Sequence, residues 1–236
     1  MLDHLNKNKL KSRQQHGFLA RHSSNTQLLE SCNDWAVHLS NIKQVDIAYL
    51  DFAKSFDPVV HNKLMFKLNA YGFDGLLNSW IREFLANRYE CVKVGNCLSS
   101  VCNENVGVPQ GSVVGPLVFI IYVNVLSDVA NNYKNTVTFK LFADDAKLYS
   151  CINNLKNMVT MQHCLVSVLQ WAEVWQLTLS VAKCKIFVIG NVKFSNVYKL
   201  GGTRLPNVSH STGLGIVMVN QLTFNLQING IIIRAK

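Results

Sequence analysis

Apolar residues recur every three or four positions in several stretches of the chain, which is the spacing of an amphipathic helix. Ser23, Ser24 and Thr26 can cap the N-terminus of the first stretch, and Gly72 can close the second. Asp74 stands at the N-cap position of the third. Helices are therefore predicted over residues 25–41, 61–70, 75–85 and 158–175.

Other stretches have the continuous or alternating apolar pattern of β-strands. Residues 45–50 are largely apolar on both faces, which predicts a strand packed on two sides. Residues 89–106 predict a hairpin around the Gly95-Asn96 turn. Residues 136–149 predict a second hairpin with two adjacent aspartates at its tip, and residues 185–190 predict a further strand.

Between the two hairpins lies a segment rich in glycine and proline, residues 107–116. Its composition predicts a loop whose backbone can approach a ligand closely. Pro116 suits the first turn of a helix, which the following apolar residues predict from Leu117 to Asn131. Because glycine and proline also mark turns without a function, this loop is weak evidence alone.

The chain has 236 residues, of which 49% are hydrophobic and 16% charged, so it can bury a core and is not disordered in bulk. Its helices and hairpins predict an α+β fold with an antiparallel sheet flanked by helices. The longest apolar run, residues 117–123, is shorter than the roughly 20 residues that cross a bilayer. The first residues do not resemble a secretory signal. We therefore expect no membrane span and an intracellular protein, in the nucleus or the cytoplasm.

The seven cysteines are scattered and contain no CxxC pair. This argues against both a disulfide framework and a zinc knuckle. His163 and Cys164 are adjacent, but neighbouring helical positions point about 100° apart. No metal is assigned to that pair.

The net charge of +9 is concentrated at the two ends of the chain. Residues 1–22 hold five basic residues and one acidic, residues 23–173 hold 11 and 13, and residues 174–236 hold seven and none. A surface of this kind suits a polyanion, because each neutralised phosphate releases counterions. Nucleic acid is the natural partner, although charge alone does not distinguish it from a generic basic surface.

Three carboxylates follow apolar strands: Asp51 after the first, and the Asp144-Asp145 pair after another. Taken alone, Asp-Asp is also an ordinary turn sequence. If both strands belong to one sheet, the three acids can meet, and such a cluster is stable when ionised only with cations between its members. Oxygen-only ligands select magnesium or manganese, and two such ions about 4 Å apart support nucleotidyl transfer.

Five ordered motifs, together with QHGF at 15–18, give the chain a recognisable family resemblance. The motifs are LDFAKSFDPVVH (50–61), GVPQGSVVGP (107–116), FADDAKLY (142–149), KCKIFVIG (183–190) and LGI (214–216). In order and spacing they resemble the reverse transcriptase domain of non-LTR retrotransposons of the LINE type, including the jockey-like elements. The resemblance covers nearly the whole chain, and it favours a functional interpretation of Asp144-Asp145 over a plain turn.

The resemblance implies a right-handed polymerase palm with partial fingers and the beginning of a thumb. It implies a single domain fragment over 1–236: partial fingers in 1–44, mainly palm with some fingers elements in 45–190, and the primer-grip region with the start of the thumb in 191–236. The implied activity is RNA-directed DNA polymerisation from a primer 3′ end. The implied partners are an RNA template, a DNA primer and deoxynucleoside triphosphates, with two Mg²⁺ or Mn²⁺ ions as cofactors.

The same resemblance implies roles for individual residues. Asp51, Asp144 and Asp145 would bind the metals, with the backbone carbonyl of Phe52 as a further ligand. Phe56 would be the aromatic gate against ribonucleotides, although a core phenylalanine is the alternative. The remaining implied residues are Gln110, Gly111 and Ser112 at the incoming nucleotide, Lys183 as a proton donor to pyrophosphate, and Leu214 and Gly215 at the start of the primer grip. For Lys183, an ordinary surface lysine is nearly as good an interpretation.

Several positions depart from the family pattern. Val125 replaces an aspartate, Leu19 and His22 replace basic residues, and Gln227 replaces a histidine. None of these is a metal ligand, but the lost basic groups should weaken template or nucleotide contacts. The upstream fingers, the full thumb and an endonuclease domain have no counterpart in the motifs, so we expect a fragment of a longer element protein.

Two other functions remain open from the sequence. A catalytically silent nucleic-acid-binding relic would keep the basic flanks without adding nucleotides. A metal-dependent nuclease would use the same acids, although Gln110 and Phe56 favour nucleotide addition over hydrolysis.

Overall fold

The computed structural model describes residues 1–41 and 43–235. Its helices are α1 (Leu2–Lys7), α2 (Ser24–Ser40), α3 (His61–Ala70), α4 (Gly75–Leu85), α5 (Val114–Val123), α6 (Leu126–Asn131), α7 (Leu155–Trp175) and α8 (Asn225–Ala235). Its longer strands are β1 (Gln44–Leu50), β6 (Val137–Phe142), β7 (Asp145–Ile152) and β8 (Lys185–Gly190). Shorter strands are β2 (Arg88–Glu90), β3 (Lys93–Val94), β4 (Cys97–Leu98), β5 (Cys102–Glu104), β9 (Lys199–Leu200), β10 (Thr203–Arg204), β11 (Asn207–Val208), β12 (His210–Gly213) and β13 (Ile216–Val219).

The central sheet has the strand order β11-β8-β1-β7-β6. β1 lies in the middle and pairs antiparallel with both β7 and β8, and β7 pairs antiparallel with β6. Only β11 runs parallel to its neighbour, β8. The mixed α/β architecture with a mostly antiparallel sheet agrees with the predicted fold class.

Both faces of the central strand are covered, as its sequence predicts. Ala48 and Leu50 of β1 pack into a large core that includes residues of α3 to α7. Val45 and Ile47, on the opposite face, pack against a smaller cluster around the fully buried Trp35 of α2. The sheet is therefore held rigidly between two apolar layers, which fixes the position of the residues at its strand ends.

Most of the predicted helices and strands are confirmed within one or two residues. The α2 helix begins with a reciprocal capping box between Ser23 and Thr26. The 89–106 hairpin forms two short ladders, β3 with β4 and β2 with β5, around a turn in which Gly95 has φ +61°. The cysteines are all free thiols, and His163 is exposed while Cys164 is buried.

One predicted helix is wrong in its extent. The apolar stretch 117–131 forms two helices, α5 and α6, and α5 begins earlier, at Val114. The early start follows from Ser112, whose hydroxyl accepts a hydrogen bond from the Gly115 amide at 2.9 Å. At the junction, the buried Asn124 side chain accepts from the Ser12 amide and donates to the Leu10 carbonyl, which ties the break to the N-terminal segment.

Residues 114–131 also have the length and composition of a membrane span, although two helices share this segment. In the fold, 61% of the segment is buried. Val118, Phe119 and Tyr122 belong to the large core cluster. This burial explains the apolar composition as that of a core element.

Candidate active site

Two of the three predicted acids converge at one end of the central sheet. In the pairing of β1 with β7, Leu50 lies opposite Ala146, so the continuation of this register places Asp51 opposite Asp145. Both side chains line one cleft of about 120 Å³, together with Lys183. The sheet register therefore brings together carboxylates that are 94 positions apart in the chain.

Asp144 lies beside this pair, in the turn of the hairpin. Phe142 pairs with Asp145, so Ala143 and Asp144 form a two-residue turn and Asp145 opens β7. Ala143 has a left-handed backbone with φ +55°, which such a turn requires at its first position. The Asp144 Oδ2 atom accepts a hydrogen bond of 2.7 Å from the Ser55 hydroxyl.

Burial and neighbouring negative charge act on Asp145. Burial, followed by the charges of Asp144 and Asp51, raises the pKa of Asp145 above its usual range. The Asp51 Oδ1 atom is shielded from solvent and accepts no hydrogen bond, although the largely exposed Lys183 ammonium lies 3.5 Å away. An oxygen of this kind is what a bound cation would satisfy, so the donor set fits a hard divalent ion.

The three carboxylates do not form a complete metal-binding group in the structure. Over residues 1–41 and 43–235, no group of three His, Cys, Asp or Glu side chains is disposed to hold an ion. Asp51 and Asp145 share the cleft, whereas the Asp144 carboxylate is engaged by Ser55. The same hydroxyl lies 3.2 Å from the Phe52 carbonyl, so Ser55 stands between two predicted ligands.

Ser55 is a site residue that the sequence reasoning missed. It is buried and lies inside the motif 50–61, but no feature of its local pattern distinguishes it from a packing serine. The segment around it is anchored through the backbone, because the Ser180 amide donates to the Asp51 carbonyl and the Ala53 amide donates to the Thr178 carbonyl. These bonds connect the first acid to the chain just before Lys183.

Phe56 packs against other aromatic rings and is partly exposed. Its ring stacks on Phe119 with centroids 4.2 Å apart and touches Phe18 edge-on at 6.4 Å. The side chain is nevertheless only half-buried. The ring is thus held in one orientation by the core while part of it remains accessible.

The glycine-rich loop lies against the segment that follows Asp51. The Val108 amide donates to the Phe56 carbonyl, and the Gln110 side chain donates to Asp57 Oδ1 at 2.9 Å. Gly111 has φ +82° and is exposed. The Ser112 hydroxyl, by contrast, donates to the Pro109 carbonyl and accepts from Gly115, so it is engaged in closing the loop.

One wall of the cleft is basic and adjoins the β12–β13 hairpin. Lys183 and Lys185 line it, as do Gly213 and Leu214 at the hairpin turn. Gly215 completes this turn with φ +84°. Lys147 also lines the cleft, and its burial lowers its pKa to about 8. The sequence predicts roles for Lys183, Leu214 and Gly215 but none for Lys147 and Lys185.

The positions that depart from the family pattern have ordinary structural roles. Leu19 is buried, and His22 is exposed with its ring 4.9 Å from that of His16. Val125 lies at the junction of α5 and α6. The Gln227 side chain accepts a hydrogen bond from the Val217 amide at 3.0 Å.

Comparison with known proteins agrees with this fold. A sequence model of the family described as reverse transcriptase (RNA-dependent DNA polymerase) matches residues 1–217. The chain is 27% identical over 229 residues to the RNA-directed DNA polymerase from the mobile element jockey of Drosophila funebris, and 28% identical over 227 residues to that of Drosophila melanogaster. Each alignment covers 92% of this chain and 24% of the relative, so the chain spans about a quarter of these proteins.

Among solved structures, the chain resembles telomerase from Candida tropicalis. The apo form truncated from its C-terminal domain matches with a TM-score of 0.64 at 13% identity, covering 94% of this chain and 42% of that one. The complex with a TWJ fragment of telomeric RNA matches with a TM-score of 0.65 at 11% identity, covering 94% and 35%. At such identities the likeness establishes the fold alone.

The chain belongs to the reverse transcriptase family, and the predicted relationship to non-LTR elements is confirmed by its jockey relatives.

Proposed function

We propose that this chain is the catalytic domain of an RNA-directed DNA polymerase, which adds deoxynucleotides to a primer 3′ end on an RNA template. The observation that carries the proposal is the convergence of Asp51 and Asp145 in one cleft, with Asp144 in the adjoining turn. Family membership supports the reaction class. The convergence matters because nucleotidyl transfer needs acidic ligands at the place where the primer end and the nucleotide meet.

Asp51, Asp144, Asp145 and the Phe52 carbonyl are the groups that would hold two Mg²⁺ or Mn²⁺ ions. When bound, such ions supply activation of the primer hydroxyl and neutralisation of the leaving pyrophosphate. The chain's own contribution is to hold the oxygens in place: β1 and β7 position Asp51 and Asp145, and Ser55 orients Asp144. Lys183 is suited to give a proton to the leaving group, because its ammonium already lies 3.5 Å from Asp51 Oδ1.

The basic wall of the cleft supports a nucleic-acid partner. Lys183 and Lys185 line the cleft beside the acids, and residues 174–236 contain seven basic residues and no acidic residue. We place the primer backbone along this wall, next to Leu214 and Gly215, and the incoming nucleotide between Phe56 and Gln110. In this arrangement the sheet of residues 45–190 is the palm, residues 1–44 belong to the fingers, and residues 191–236 lead from the primer grip into the thumb.

A primer-extension assay on a primed RNA template tests this function. We expect deoxynucleotide addition that requires Mg²⁺ or Mn²⁺, stops with a chelator and is absent in Asp144→Ala. Products shorter than the primer would indicate a nuclease. A silent relic would show a different result. It would bind nucleic acid in a salt-sensitive way, equally with and without Mg²⁺, and would incorporate no nucleotide even in a longer protein carrying the adjoining segments.

Phe56→Val is expected to relax the choice of sugar. The smaller side chain removes the ring edge that would occupy the place of a ribose 2′-hydroxyl, so ribonucleotide incorporation relative to deoxynucleotide incorporation should rise about 100-fold. Single-nucleotide kinetics with matched pairs measure the ratio. Phe66→Val, at an exposed phenylalanine of α3, is the control and should leave it unchanged. An unchanged ratio in Phe56→Val would restrict Phe56 to core packing.

A further inference from the structure

The segment that contains QHGF lies along the outer edge of the hairpin that carries the acids. The Leu141 amide donates to the Gln14 carbonyl at 2.9 Å, and the His16 amide donates to the Leu141 carbonyl at 2.9 Å. Gln15 forms a parallel bridge with Leu141 of β6. Residues 14–16 therefore cover the free edge of β6 just before its turn, on the side away from β7.

The Gln15 side chain holds the turn itself. Its Oε1 atom accepts hydrogen bonds from the Ala143 amide at 2.9 Å and from the Gly17 amide at 2.7 Å. Its Nε2 atom lies 3.3 Å from the Ala143 carbonyl and donates to it. One buried amide, 1% exposed, thus satisfies both backbone polar groups of the residue that directly precedes Asp144.

These hydrogen bonds hold a residue whose backbone conformation is unfavourable. Ala143 has φ +55°, a left-handed conformation that has an energetic cost for a residue with a Cβ atom. A partner that binds both its N–H and its C=O offsets this cost in one conformation only. The direction in which the chain leaves Ala143 is the direction in which Asp144 is presented.

Gly17 permits this close approach. A Cβ atom at position 17 would lie 2.2 Å from the Ala143 nitrogen and 2.9 Å from its Cα. These are backbone atoms, which cannot move aside as the end of a flexible side chain does. A glycine is therefore required at position 17 for Gln15 to reach the turn.

We propose that Gln15 and Gly17 are positioning residues, which hold the Ala143-Asp144 turn so that the paired acids face Asp51. The proposal rests on the proposed function, because it concerns the acids of that site. Gln15 itself touches neither the cleft nor a reacting group; it acts through the turn. A purely structural glutamine would stabilise the fold without affecting how the acids bind a cation, and this difference can be measured.

The test uses Mn²⁺ as the probe and the purified chain, with free Mn²⁺ followed by electron paramagnetic resonance. In Gln15→Met, which keeps the length but not the hydrogen bonds, we expect Mn²⁺ affinity to fall about 10-fold. Hydrogen exchange of the peptide containing Ala143 should accelerate in the same variant. Gln14→Met is the matched control, because the Gln14 side chain bonds to Ser12 and not to the turn. It should change neither quantity.

Gln15→Glu separates positioning from folding. A glutamate keeps the acceptors for the Ala143 and Gly17 amides, so it should restore Mn²⁺ affinity to within about 3-fold of wild type even if burial of its charge lowers the melting temperature. All binding is measured at a temperature where circular dichroism shows each variant folded. Gly17→Ala, which forces the turn outward, should weaken Mn²⁺ as Gln15→Met does.

The outcomes are distinguishable from failure of the proposed function. If Asp144→Ala binds Mn²⁺ as tightly as wild type, the acids do not form a metal site and the proposed function fails. If Asp144→Ala weakens binding while Gln15→Met and Gly17→Ala do not, the positioning role is wrong. The same conclusion follows if Gln15→Met accelerates exchange at the turn without changing Mn²⁺ affinity.

Discussion

Replacing Asp51 with asparagine is expected to lower the rate of nucleotide addition by at least about 1,000-fold, equivalent to roughly 4 kcal/mol of transition-state stabilisation. Asparagine has nearly the same size and keeps one oxygen, but it cannot supply the negative charge that a divalent ion needs. The expected loss follows from the place of Asp51 opposite Asp145, in the same cleft. Single-turnover extension at saturating Mg²⁺ measures it.

The same substitution should not weaken the fold. Asp51 and Asp144 both raise the pKa of Asp145 through their negative charges, so removing one charge relieves repulsion. The free energy of unfolding should stay constant or rise by up to about 1 kcal/mol. Asp74→Asn is the control, since Asp74 is exposed and makes no capping hydrogen bond with its side chain. A variant of Asp51 that keeps more than a tenth of the wild-type rate, or one that unfolds, would contradict this account of the cluster.

Lys67→Met is expected to stabilise the protein near neutral pH, by about 2–3 kcal/mol. Lys67 is 3% exposed, and its ammonium lies 3.7 Å from the centroid of the Trp175 ring and donates to the Tyr122 carbonyl. The aromatic face favours the charged form. Burial favours the neutral form and outweighs the aromatic contact, so the pKa of Lys67 is lowered to about 7. Methionine keeps the unbranched shape and contacts the aromatic rings without a buried charge.

The lowered pKa of Lys67 also predicts how the stabilisation by Lys67→Met changes with pH. An unfolded lysine keeps its proton up to a pKa of about 10.4, whereas the folded Lys67 loses it near pH 7. Between these values the unfolded state binds more protons, so the free energy of unfolding of the wild type should rise with pH. Below pH 7 both states are protonated, and the full cost of the buried charge remains. Urea unfolding of both proteins from pH 6 to 10 should show a difference that shrinks as pH rises. Lys63→Met, on the same helix but partly exposed, is the control. A difference independent of pH would show that Lys67 titrates normally.

Much of the fold could be predicted because its information is local. The bounds of β8 and α3 match the sequence prediction, since alternation and helical spacing report directly which residues face the core. The helix predicted over 117–131 was wrong because its break depends on Asn124 and the distant Ser12 and Leu10. The short strands β9 to β13 were not predicted, because strands of two to four residues are too short to show a periodic pattern.

The candidate site shows the same division. Asp51, Asp144 and Asp145 could be selected from the sequence, since acids directly after apolar strands are uncommon and the motifs around them are ordered. Ser55, Lys147 and Lys185 could not, because a serine or a lysine inside a strand or turn has no distinguishing pattern. The role of Gln15 depends on hydrogen bonds to Ala143, 128 positions away.

The amino-acid sequence by itself determined most of the longer helices and strands, the basic character of the ends and the acids to be considered, because each depends on side-chain type and short-range spacing. The tertiary structure alone decided that Asp51 lies opposite Asp145, that Ser55 holds Asp144, and that Gln15 and Gly17 enclose the turn before it. Those contacts arise from the register of strands that are far apart in the chain. Register is selected by the packing of both faces of the whole sheet, and no single segment encodes it.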